Sequence, residues 1–342
     1  MTERLDDMTM AVFAKDLATM LAAGITPAEG LDILAADRGK DGRQPAWQGL
    51  ARAVAAGTPL AQGLSESRLF DAYFCDMAAL GTEAGRQEET LFKLADFYQR
   101  RAETKKLLHD MLIRPLILFA VLAVIMIFLI FAVLPVFTNV YLKLGGYVSG
   151  YVTVSYVLAG LAMVAIVVMI AAMLVAAFGQ DSPACRSAIR RYWYGSRLTR
   201  QAAAALDRAT MMGMVDTMIA GGLEPGKALE RCQAVLKDNI AASGLAKCAA
   251  DVARGGNMGL AMDANGLVSP LYAHIIYTGS RNGRTEQAVA QVSRSLFDDA
   301  YDAVDGIITT AEPMITGIFT LVIGLTLLSI MLPLVAVITA IG

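Results

Sequence analysis

Histidine, cysteine and net charge are all scarce in this sequence. It has 2 histidines and 4 cysteines in 342 residues, and its formal net charge is −2. His109 and His274 lie far apart without ligand spacing, so they read as helix-surface or packing residues and no metal site is expected. Cys75, Cys185, Cys232 and Cys248 show no C-x-x-C spacing and read as reduced packing residues. The balanced charge leaves no basic excess for binding nucleic acid, so no nucleic-acid partner is expected. Runs that alternate apolar and polar residues are missing too, which argues against half-buried strands. No nucleophile–base pair can be picked out, so the reading is of a protein that is not an enzyme and needs no cofactor.

Apolar residues are plentiful instead, at 56% of the chain, and they are unevenly placed. Residues 115 to 137, 152 to 178 and 313 to 342 contain no charged side chain. Each run exceeds the ~20 residues that a helix needs to cross a bilayer core about 30 Å thick. The expectation is an all-α integral membrane protein with three transmembrane helices, at 112–138, 152–178 and 311–340. An extracytoplasmic loop would cover 139–151, and cytoplasmic helical bundles would cover 1–111 and 179–310. Arg100, Arg101, Lys105, Lys106 and Arg114 precede the first run, and five arginines between Arg186 and Arg200 follow the second. By the positive-inside rule this puts the N-terminus in the cytoplasm and the C-terminus outside it. The opening MTERLDDMTM lacks an apolar core, so no cleavable signal is expected.

A repeat organises the chain. MLAAGITPAEGL at residues 20 to 31 returns as MIAGGLEPGKAL at 218 to 229, a shift of 198 positions that needs no insertion elsewhere. Gly24 and Pro27 meet Gly222 and Pro225, Gly81 and Gly85 meet Gly279 and Gly283, and Pro115 meets Pro313. In the first copy Thr26 suits an N-cap, Pro27 the first helical position and Glu29 a capping box. Glu224 and Lys227 replace the capping pair in the second copy. The spacing predicts two copies, near residues 11–140 and 209–338, each a bundle of about six short helices leading into a long apolar helix. The pairs Gly81-x-x-x-Gly85 and Gly279-x-x-x-Gly283 read as close helix packing or turn formation, with a partner-docking surface as the sharper alternative.

The G-x-x-P-x-x-x-L turns, the Gly81–Arg86 element GTEAGR, the Pro-led apolar runs and the duplication together resemble the GspF/PilC family. The resemblance extends over nearly the whole chain. It implies an inner-membrane platform protein that couples a cytoplasmic assembly ATPase to the polymerisation of pilin subunits in a type IV pilus. The alternative is a type II secretion system F protein acting on pseudopilins to drive protein secretion. Other implied partners are further inner-membrane assembly proteins, the lipid bilayer and additional copies of the chain. The chain opens almost at the first repeat, which fits a pilus-assembly member better. A small membrane transporter is a reading of another class. The run interiors are Leu, Ile, Val, Met and Phe without ionisable groups, which argues against it.

Two further readings concern single stretches. Gly221–Lys227 (GGLEPGK) fits seven places of a GxxxxGK phosphate loop. Ala228 lacks the hydroxyl that would hold magnesium, Pro225 removes an N–H, and no strand precedes it, so the stretch reads as a helix turn. In register, Arg100, Arg101 and Arg114 of the first copy correspond to Asp298, Asp299 and Glu312 of the second. Asp298, Asp302, Asp305 and Glu312 share one helical face, so the two long helices are expected to pair through these charges.

Overall fold

The turns show most directly why the chain repeats. Gly24, Gly57 and Gly85 end helices with left-handed backbones at φ of 84°, 98° and 69°. Gly222, Gly255 and Gly283 do the same at 90°, 88° and 68°. A residue without a Cβ adopts this conformation at least cost. Behind the first glycine, Ile25 N–H donates to Met20 O at 3.0 Å; behind its counterpart, Leu223 N–H donates to Met218 O, also at 3.0 Å. These six-to-one bonds satisfy carbonyls that a helix end would otherwise leave open. Arg68, at φ 56°, is the only described non-glycine residue with positive φ, and its counterpart 198 residues on is Gly266 at φ 66°.

The computed structural model describes residues 4–37, 44–128, 197–236 and 242–341, with scattered residues between 131 and 171. In the first copy the helices are α1 (Asp7–Ala22), α2 (Pro27–Asp37), α3 (Gln44–Ala55), α4 (Leu60–Ser67), α5 (Ala72–Glu83) and α6 (Gln87–Phe128). In the second they are α7 (Arg197–Ala220), α8 (Pro225–Val235), α9 (Ala242–Ala253), α10 (Met258–Ala264), α11 (Pro270–Arg281) and α12 (Thr285–Ile341). No strand occurs among the described residues.

Caps differ between the copies even where the helices coincide. Glu29 N–H donates to Thr26 Oγ1 at 3.3 Å at the start of α2, whereas Glu224 before α8 makes no side-chain cap bond and relies on Pro225. Asp71 caps α5 by accepting from Phe74 N at 2.8 Å; Asn257 caps α10 by accepting from Gly259 N at 2.9 Å.

The chain divides into two units, one of residues 1–105 with 201–303, the other of 106–200 with 304–342. The first unit holds both helical bundles around one continuous core. Copy 1 fills its part with rings: Phe13 lies 5.4 Å from Trp47, 4.8 Å from Phe70 and 6.1 Å from Phe74. The corresponding positions of copy 2 carry Met211, Leu245, Val268 and Tyr272, and Met212, Met218 and Met262 are buried nearby. Unbranched thioethers fill irregular gaps that flat rings cannot, so one backbone plan is packed in two chemistries. In the second unit Phe119 and Leu122 of α6 are buried, while Ile117, Leu118, Val121, Val124, Ile125 and Phe128 are exposed.

The expectation of an integral membrane fold with three spanning helices is corrected here. Among the described residues no helix is long and apolar enough to cross a membrane. The described part of α6 carries its uncharged stretch from Pro115 to Phe128. At 1.5 Å per residue that run is about 21 Å long, short of a core of about 30 Å. Most of the 152–178 run and all of the 139–151 loop but Asn139 lie outside the described residues.

Candidate functional site at the junction of the two copies

Within the first unit, α6 of copy 1 and α12 of copy 2 run side by side in the same direction. Arg86 Nη2 meets Glu286 Oε2 at 3.1 Å, Phe97 meets Phe297 with ring centroids 6.3 Å apart, and Arg100 Nη1 meets Asp298 Oδ1 at 3.4 Å. Those three contacts lie at nearly matching positions of the repeat, so the helices pair almost in register. Helix α7 closes the arrangement from one side. Gly213 brings its backbone so close that an added Cβ would stand 2.7 Å from Phe97 Cδ2 and 2.9 Å from Phe297 Cε2. Buried Tyr73 on α5 donates its hydroxyl proton to Met214 O at 3.3 Å, which fastens α5 to α7.

The most buried ion pair of the junction joins Lys93 Nζ on α6 to Asp216 Oδ1 on α7 at 3.1 Å. Burial pushes the Asp216 carboxyl above its ordinary value, and the Lys93 ammonium opposes that rise. At the first turns of α6 and α12, Arg86 is shared by two carboxylates. Its Nε donates to Glu89 Oε2 at 3.0 Å, and its Nη2 donates to Glu286 Oε2 at 3.1 Å. Glu89 is raised, by burial first and then by the hydrogen bond and charge of Glu286. For Glu286, burial acts upward, but hydrogen bonds with Glu89 and Arg86 outweigh it and the net direction is down. Two clefts of about 690 and 630 Å³ open along this side and share Glu89, Lys93 and Arg294 as walls.

The chemistry of the junction is that of a fastening. Among the described residues no group of three His, Cys, Asp or Glu side chains is arranged to hold a metal. Buried Cys75 is pushed up to about 11, and Cys232 and Cys248 to about 12, all chiefly by burial, so these thiols are poor nucleophiles at neutral pH. The phosphate-loop lookalike is the turn from α7 into α8. Gly222 supplies its left-handed residue, and Lys227 Nζ lies 3.4 Å from Glu224 Oε2 in an exposed pair.

The remaining residues singled out from the sequence fall as follows. Gly24 and Gly222 turn α1 and α7, and Pro27 and Pro225 open α2 and α8. Gly81 and Gly279 are close-approach glycines: a Cβ at Gly81 would meet Thr90 Oγ1 at 2.6 Å, and one at Gly279 would meet Ala288 Cβ. Gly85 and Gly283 are the left-handed residues that follow. Each G-x-x-x-G pair thus combines two different needs of one α–α corner. Pro115 and Pro313 lie inside α6 and α12 rather than at their starts. Arg100 reaches Asp298, while Arg101 turns to its own copy, with Nε 3.3 Å from Asp7 Oδ2 and Nη1 3.9 Å from Asp71 Oδ2. Asp302 and Asp305 are exposed, and the side chains of Arg114, Glu312 and His109 lie outside the described residues, as does Cys185. Sequence reasoning missed Lys93, Asp216, Glu286 and Gly213. One signal existed for Asp216, whose counterpart Ala18 is buried, so that a carboxylate stands on a face that must be buried.

The fold defines a duplicated helical body whose two copies are fastened to each other by ion pairs and packed rings. The chain is a member of the type II secretion system (T2SS), protein F family, whose sequence model matches residues 13–135 and again 214–333. It is similar to the type II secretion system protein F of Xanthomonas campestris pv. campestris, at 23% identity over 98% of this chain and 84% of that protein. It is similar to the type IV pilus assembly protein PilC of Pseudomonas aeruginosa, at 20% identity over 97% of this chain and 90% of that protein. The type IV pilus assembly protein TapC of Aeromonas hydrophila is 21% identical over 96% of this chain and 81% of its own length. The names of these relatives cover both type II secretion and type IV pilus assembly.

Proposed function

We propose that this chain is the inner-membrane platform of a type IV pilus assembly machine, where it receives a cytoplasmic ATPase and passes its motion to pilin subunits. The observation that carries a platform role, in either kind of system, is the double match of the type II secretion system protein F family model, once on each copy. The fastened junction supports it mechanically, because a load applied to one bundle reaches the other through Lys93–Asp216 and Arg86–Glu286. The exposed apolar side chains of α6 from Ile117 to Phe128 support contact with lipid or with the apolar segments of membrane partners. Nucleotide binding belongs to the motor and not to this chain, in keeping with the GGLEPGK turn.

The second reading is the equivalent platform of a type II secretion system, acting on pseudopilins. It is favoured by the similarity to a secretion-system F protein over 98% of the chain.

The test is co-purification from detergent-solubilised membranes of cells expressing the full-length chain with an affinity tag. The cognate assembly ATPase should be retained, and it should be retained equally by the Lys227→Ala chain. Failure to retain the ATPase from cells that assemble filaments would overturn the platform reading. Loss only in the Lys227→Ala chain would mean that the GGLEPGK turn binds a ligand.

A further inference from the structure

The two copies differ most sharply on the outer faces of α5 and α11. On α11, Pro270, His274, Tyr277 and Arg281 follow one another at helical spacing, and Leu271 and Thr278 flank them. Leu271 is 68% exposed and Leu260, on the adjoining α10, is 56% exposed. The Arg281 guanidinium lies 5.9 Å over the Tyr277 ring, and the His274 ring lies 6.0 Å from it, so the basic and aromatic groups form one ladder. On α5 the same positions carry Ala72, Asp76, Ala79 and Glu83, and exposed Glu66 on α4 adds a third carboxylate. One face is large and basic; the other is small and acidic.

The edge of this face explains why the second copy is left open. In copy 1 the edge residue is Tyr73, buried with its hydroxyl on Met214 of copy 2. In copy 2 the edge residue is Leu271, exposed to solvent. The contact that covers copy 1 is therefore not reciprocated, and a large apolar side chain stands uncovered beside the ladder.

We propose that the α11 face of one chain docks on the α5 face of a second copy of the same chain. Tyr277 and Leu271 seat against Ala79 and Ala72, and Arg281 and His274 face Asp76, Glu83 and Glu66. The occupant is identified by complementarity in both size and charge at matched positions, Tyr and Arg on one face against Ala and carboxylates on the other. Such a contact uses two different surfaces, so it links copies head to tail rather than face to face. It leaves the α6–α12 clefts free for other partners.

The test uses two differently tagged full-length chains co-expressed in one cell, one carrying Ala79→Cys and the other Tyr277→Cys, with the wild-type pair as the background for its own 4 cysteines. Oxidation should give a disulfide-linked dimer at least fivefold above that background, and above either variant expressed alone. Adding Asp76→Arg with Glu83→Arg to the Ala79→Cys chain should lower the yield at least threefold. Further adding His274→Glu with Arg281→Glu to the Tyr277→Cys chain should restore most of it. A second measurement is the mass of the solubilised complex by light scattering, which should fall in the Asp76→Arg, Glu83→Arg chain because these positions are exposed. Equal cross-linking by Ala79→Cys alone would establish a face-to-face contact and overturn the proposal. So would an unchanged mass together with no mixed dimer.

Discussion

Gly213 gives the sharpest test of the junction. Its replacement by Ala would place a methyl group 2.7 Å from Phe97 Cδ2 and 2.9 Å from Phe297 Cε2, rings that belong to the two different copies. Carbon atoms prefer about 3.5–4.0 Å, so at least one ring must retreat by close to an ångström inside a filled core. Overpacking of this kind costs about 1–3 kcal/mol, and Ala gains about 1 kcal/mol over Gly in a helix interior, which leaves a net loss of about 0–2 kcal/mol. Gly49 on α3 provides the control, because a Cβ there meets nothing within 4 Å. Gly49→Ala should gain about 0.5–1 kcal/mol from helix propensity alone. The assay is thermal unfolding of the purified full-length chain followed by helical circular dichroism, with a decrease in Tm of up to about 6 °C for Gly213→Ala and a rise for Gly49→Ala. If Gly213→Ala is as stable as Gly49→Ala, the close approach of α7 to α6 and α12 is wrong.

Three further outcomes follow from the same geometry. Lys93→Met leaves Asp216 buried without its cation and should cost about 3–5 kcal/mol in urea unfolding, whereas Lys93→Met with Asp216→Leu should recover most of that loss. Gly279→Ala, which drives a methyl into Ala288, should cost about 1–3 kcal/mol by overpacking, and Gly85→Ala about 1–2 kcal/mol through its left-handed backbone alone. Glu89 is raised in the folded state, so the fold holds that proton more tightly than the unfolded chain does. Stability must then fall as pH rises from the ordinary glutamate range towards the raised value. Glu89→Gln should abolish this decline and gain less than about 1 kcal/mol at neutral pH, because the side chain is 43% exposed and screened by solvent. Glu286→Gln should act at the other end, removing a loss of stability that begins only as pH falls below the ordinary range.

The parts of the fold legible in the sequence are those that backbone chemistry dictates locally. Gly24, Gly57 and Gly85 recur 198 positions later because left-handed helix ends tolerate few other residues, and the structure places a left-handed turn at each. Arg68 was not legible by that rule, since arginine does not advertise a positive φ; only its counterpart Gly266 does. The apolar runs were legible as apolar, but among the described residues no helix is long and apolar enough to cross a membrane, and hydropathy alone does not state how far a helix continues. The junction was mostly invisible. Lys93 and Asp216 lie 123 residues apart with no periodic relation, and Gly213 corresponds to Lys15, an exposed residue with no close neighbour to predict. Charge comparison between copies pointed to Arg100 and Asp298, which meet at 3.4 Å, yet gave no hint that Arg101 would turn inward to Asp7. Partners that lie in different copies are set by tertiary packing, which one sequence without its fold does not encode in spacing.

Deletion of the chain decides whether it acts as the proposed assembly platform. Cells that lack only this chain should keep normal amounts of pilin or pseudopilin and of the assembly ATPase, yet form no extracellular filament and no pseudopilus-dependent secretion. The wild-type and Lys227→Ala chains should both restore the lost product, whereas Lys93→Met should restore less. Filament formation and secretion at normal levels without the chain would contradict the account.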